Sequence, residues 1–92
     1  GTISSGVYTP GPAGGNMRKI VNGGALTLAA PTAAGDYTLV VQIKNNASAG
    51  VISDSGFSIV TGDAFTTTNG DDFFVFITKC NGLTSAQVQA LQ

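Results

Sequence analysis

Apolar and polar positions alternate most regularly from Tyr37 to Lys44. Tyr37, Leu39, Val41 and Ile43 share one face, and Thr38, Val40, Gln42 and Lys44 share the other. A period of two predicts a half-buried strand. From Gly70 to Gly82 the pattern changes. Phe73, Val75 and Ile77 fall on one face and Phe74, Phe76 and Cys80 on the other, so both faces are apolar. Asn69-Gly70 opens this run and Asn81-Gly82 closes it, each a turn signal. A strand apolar on both faces predicts a central position, with a core beneath it and a second sheet or a neighbouring subunit above.

Shorter runs surround these two. Met17–Val21 reads as a strand stopped by Asn22-Gly23-Gly24, and Ala25–Ala30 as its hairpin partner, with Leu26 and Leu28 on one face. Val51–Ser53, Phe57–Val60 and Ala64–Thr68 follow, separated by Asp- and Gly-containing turns. In Leu83–Leu91, Ala86, Val88 and Ala90 alternate with Ser85, Gln87 and Gln89. The alternation favours a strand over a short helix capped by Thr84 or Ser85. Seven or eight short strands, with turn signals roughly every 8–12 residues, predict an all-β fold, a small antiparallel β-sandwich or jelly-roll-like barrel. No exact internal repeat is visible.

Residues 1–15 contain five glycines and two prolines, a composition that opposes both helix and central strand. They predict an extended arm or linker in front of a single β domain over 16–92. If such an arm lies along a neighbour, Ile3, Val7 and Tyr8 are its anchors. With 92 residues, the chain buries only about 60–65% of its unfolded surface, leaving the isolated domain marginal.

Composition narrows the chemistry. Charged residues make up 10% of the chain, against a typical ~25%, and the net charge is −1. Arg18, Lys19, Lys44 and Lys79 are the only cations, too few for a nucleic-acid partner. No run of ~18 apolar residues predicts a membrane span. There is no histidine, so Ser-His-Asp and Cys-His arrangements are ruled out. The carboxylates are Asp36, Asp54, Asp63, Asp71 and Asp72. Three of them sit beside a glycine in a turn, where Asp commonly bonds its own backbone, and the consecutive Asp71 and Asp72 point to opposite faces. A calcium site built from turn carboxylates lacks any supporting spacing. Pro12–Asn16 lacks the Gly-Lys-Ser/Thr of a phosphate loop, and Asn46-Ala47-Ser48 matters as a sequon only in a eukaryotic secretory pathway. No catalytic residue, cofactor site or metal site is predicted, and the expectation is a non-enzyme. Cys80 reads as a small buried hydrophobe or, as the odd cysteine, a bridge between subunits.

From Gly35 to Gln92, the succession Gly-Asp-Tyr-Thr-Leu-Val-Val-Gln-Ile, Asn-Asn-Ala-Ser-Ala-Gly, Ser-Gly-Phe, Thr-Gly-Asp, Thr-Thr-Thr-Asn-Gly, Ile-Thr-Lys-Cys-Asn-Gly and Val-Gln-Ala-Leu-Gln resembles small β-rich domains of tailed-bacteriophage virion proteins. The resemblance covers the last two thirds of the chain and rests on turn motifs. It carries over no functional residue. It implies a capsid-decoration, tail or fibre module on the virion surface that associates with itself, often as a trimer, and with other virion proteins. A receptor- or carbohydrate-binding module, with a host surface glycan as partner, is the alternative. Under the assembly reading, the interface residues are Ile3, Val7, Tyr8, Phe74, Phe76 and Cys80.

Overall fold

The computed structural model describes residues 1–92 and contains nine strands and no helix. They are β1 (Thr2–Ile3), β2 (Val7–Tyr8), β3 (Met17–Asn22), β4 (Leu26–Ala29), β5 (Tyr37–Asn45), β6 (Ile52–Ser55), β7 (Ile59–Gly62), β8 (Asp72–Cys80) and β9 (Leu83–Ala90). They form a six-stranded sheet, β1-β3-β5-β8-β9-β7, and a three-stranded sheet, β2-β4-β6. Within the first sheet, β1, β3 and β5 are parallel, as are β7 and β9, while β8 is antiparallel to both of its neighbours. The three-stranded sheet is entirely parallel.

This arrangement is solenoid-like, not a sandwich of hairpins or a jelly-roll barrel. Each of three successive rungs places one strand in the large sheet and the next in the small one: β1 then β2, β3 then β4, β5 then β6. Register partners lie about one rung apart in sequence, as in Ile3, Asn22 and Asn45 in one sheet or Tyr8 and Leu28 in the other. The chain then leaves the rung pattern. The β8–β9 hairpin and β7 extend the large sheet on the β5 side.

The expected hairpin at Asn22-Gly23 is replaced by a corner, because β3 and β4 belong to different sheets. The corner is held by the Asn22 side chain. Its Oδ1 accepts from the Gly24 and Gly50 amides, and its Nδ2 donates to the Gly50 carbonyl and to Asn45 Oδ1 (2.9–3.2 Å). Both donors and both lone pairs are thereby used, and the residue is fully buried. Asn45, its register partner, is equally buried and donates to the Thr66 and Thr68 carbonyls at 2.8 and 3.1 Å. The two amides form a ladder that ties adjacent rungs to the segment covering them. Close stacking at the corners demands glycine. A Cβ on Gly24 would lie 2.2 Å from the Ser4 carbonyl oxygen, and one on Gly50 would lie 2.1 Å from the Ala25 nitrogen.

Residues 1–15 do not stand apart from the sheets. β1 pairs with β3 and β2 with β4, so this stretch forms the first rung. Arg18 fastens the loop that follows, donating to the Gly11 carbonyl at 3.0 Å and to that of Ala13.

The core lies between the sheets. Leu39, Val41 and Ile43 of β5 and Phe73, Val75 and Ile77 of β8 are fully buried, joined by Ile20, Leu28, Ala86 and Val88. These are the inward faces that alternation predicts for the two long strands and for β9. Ala64–Thr68 is not a strand. Phe65 instead packs edge-on against Phe73, with ring centroids 5.3 Å apart.

Candidate interaction face

Alternation places every second residue of the large sheet away from this core. The outward residues lie in rows set by the register. One row runs Met17, Val40, Phe76, Gln87, and the next runs Lys19, Gln42, Phe74, Gln89. Phe74 and Phe76 meet edge to face, with centroids 6.1 Å apart. Val40 is half-buried, as are both phenylalanines, while Met17 is 63% exposed. The centre of the face is therefore apolar and open to solvent. Its rim is polar: Gln42 donates to Asp72 at 2.9 Å, and Lys44 lies 3.5 Å from the same carboxylate. An apolar centre ringed by amides and charges is the usual anatomy of a protein interface.

The apolar surface continues towards the β8–β9 turn. A cleft of about 470 Å³ is lined there by Ile59, Cys80, Leu83 and neighbouring polar residues. Ile59 is 58% exposed and Leu83 65%. Asn81 and Gly82 form the tip of the hairpin with φ of 52° and 79°, the conformation that an Asn-Gly turn favours.

The residues expected to form an interface do not all share this surface. Phe74, Phe76 and Cys80 belong to it. Cys80 is exposed and free, so its expected burial is not observed. Alternation correctly gives its face, but nothing covers that end of the strand. Ile3 and Tyr8 instead point inward and pack on the core. Val7 is 66% exposed on the small sheet, where it lines a separate cleft of about 290 Å³ with Leu26 and Val51. Two contributors to its apolar centre, Met17 and Val40, are not among the expected interface residues, although alternation does place Val40 on the outward side of its strand. Only the β3–β5–β8 register brings them beside Phe76.

Four of the five carboxylates are engaged in turns and rims, Asp72 as described and three others as follows. Asp36 accepts from the Asn81 amide at 3.0 Å, Asp63 from the Ala90 amide at 2.9 Å, and Asp71 from the Thr66 hydroxyl at 2.6 Å. No group of three or more potential metal ligands converges. Tyr8 is the one titratable group with a clear perturbation. Burial raises its pKa above the ordinary phenol value, and the nearby Arg18 charge opposes that rise in part.

Comparison with known proteins finds no matching protein family, curated protein or solved structure.

Proposed function

We propose that the chain is a structural β module of a virion surface, working by association of the large sheet's outward face with copies of itself. The observation that carries this reading is the apolar centre of that face, Met17, Val40, Phe74 and Phe76, on a sheet whose other side is already filled by core. The six strands of the large sheet comprise 38 residues, nine in each of β5 and β8 and fewer in the others, which gives a face of roughly 600 Å². Two copies packed through it would bury about 1,200 Å² in total, the lower end of the range for specific interfaces. The low charge of the chain leaves little electrostatic repulsion between copies. The placement on a phage particle, in a capsid, tail or fibre, rests on the succession of turn motifs from Gly35 to Gln92.

The test is a comparison of variants by size-exclusion light scattering. Phe74→Asp and Phe76→Asp put a charge in the middle of the face and lower the association number, with far-ultraviolet circular dichroism unchanged. Thr38→Asp, on the same face but outside the apolar centre, leaves it intact. Wild-type mass in both Phe variants would remove this face from the assembly.

A further inference from the structure

The chain contains three Asn-Gly dipeptides, Asn22-Gly23, Asn69-Gly70 and Asn81-Gly82, and their surroundings differ in the feature that controls a known backbone reaction. An asparagine followed by glycine cyclises when the glycine amide nitrogen attacks the side-chain carbonyl. Attack requires that nitrogen to be free of hydrogen bonds and the side chain to be free to swing over it.

At Asn22 neither condition holds. The Gly23 N–H donates to the Ile3 carbonyl at 2.8 Å, and the Asn22 amide is buried with every donor and acceptor engaged. At Asn69 the side chain is exposed, but the Gly70 N–H donates to the Asn45 carbonyl at 3.0 Å. At Asn81 the side chain is exposed, and the Gly82 N–H makes no hydrogen bond. Beyond the Cys80–Leu83 pairing at its base, the turn tip is held by the Asn81 N–H, which donates to Asp36.

We infer that Asn81 is a site of spontaneous covalent modification in the folded protein, deamidating through a succinimide while Asn22 and Asn69 are protected. The Gly82 nitrogen loses its proton to solvent base and bonds to Asn81 Cγ. The Cγ–Nδ2 bond breaks, and Nδ2 leaves as ammonia. Water then opens the five-membered ring at either carbonyl, giving aspartate or isoaspartate. Both products add one negative charge next to the Asp36 carboxylate, on the rim of the cleft lined by Ile59, Cys80 and Leu83. Isoaspartate also inserts a methylene into the backbone between β8 and β9, where Cys80 pairs with Leu83. The tip is thus a slow charge and shape switch at one end of the apolar face.

The experiment is timed incubation of the native protein in mildly alkaline buffer, followed by peptide mass mapping and isoaspartate labelling at each site. Asn81 converts at least ~10-fold faster than Asn22 and several-fold faster than Asn69, since the protected sites react only through local opening. In denaturant the three rates converge. Asn81→Gln abolishes the native protein's acidic variant. The inference is overturned if Asn69 or Asn22 matches Asn81 in the folded state, or if the native rates keep the same ratios in denaturant.

Discussion

Replacing Asn22 with alanine tests the feature that makes the rungs a unit. The substitution removes four hydrogen bonds at once: those from the Gly24 and Gly50 amides, to the Gly50 carbonyl, and to Asn45 Oδ1. Neither amide has another partner in the fold. A buried polar group left unpaired costs about 1–3 kcal/mol. These groups are partly buried, and water can reach some of them in the vacated space, so the lower end applies. The expected loss is ~3–4 kcal/mol, a large share of the roughly 5–14 kcal/mol available to a chain this long. With a urea dependence of roughly 1–1.5 kcal/mol/M, the unfolding midpoint falls by ~2–4 M. Asn46→Ala is the control. Its neighbouring side chain is bonded only to the Ser48 amide, and its removal costs less than ~1 kcal/mol. Equilibrium urea unfolding followed by circular dichroism reads both variants. An Asn22→Ala midpoint within ~0.5 M of wild type, or an equal loss in the control, would refute the ladder as the source of rung cohesion.

Two further predictions concern the corners and the phenol. Gly50→Ala drives a Cβ into the Ala25 backbone and costs ~3 kcal/mol or more, whereas Gly70→Ala, strained at φ 90° but in open space, costs ~1–2 kcal/mol; thermal unfolding ranks them. Because the folded state raises the Tyr8 pKa, it holds the phenolic proton where the unfolded chain releases it. That stabilisation is complete below pH ~10 and is lost as pH rises through the folded value. Unfolding measured against pH therefore shows an alkaline decline that Tyr8→Phe flattens, and an equal slope in both proteins would contradict it.

The long strands were readable because their information is local. Tyr37–Ile43 alternates cleanly, and the Asn81-Gly82 turn fixes the β8–β9 register by its length alone. The rung stacking was not readable, for a physical reason. An Asn-Gly pair serves a tight hairpin and a solenoid corner equally well. What distinguishes them at Asn22 is a bond to Gly50, 28 residues away. The first rung was hidden more deeply, since β1 and β2 contribute two residues each and sit among glycines and prolines whose composition suggests an arm. Alternation also separated the inward and outward sides of β8 correctly. It could not say that Cys80 would be uncovered, or that Ile3 and Tyr8 would be taken up by the core.

The most direct test of the assembly account is the solution mass of the unmodified protein, by light scattering across a dilution series with and without reductant. The account predicts a multiple of the 9.2 kDa chain that persists on dilution, with the outward face of β8 protected from solvent labelling. A fall in mass on reduction would assign part of the cohesion to Cys80. A single 9.2 kDa species at every concentration, with Phe74 and Phe76 freely labelled, would contradict it.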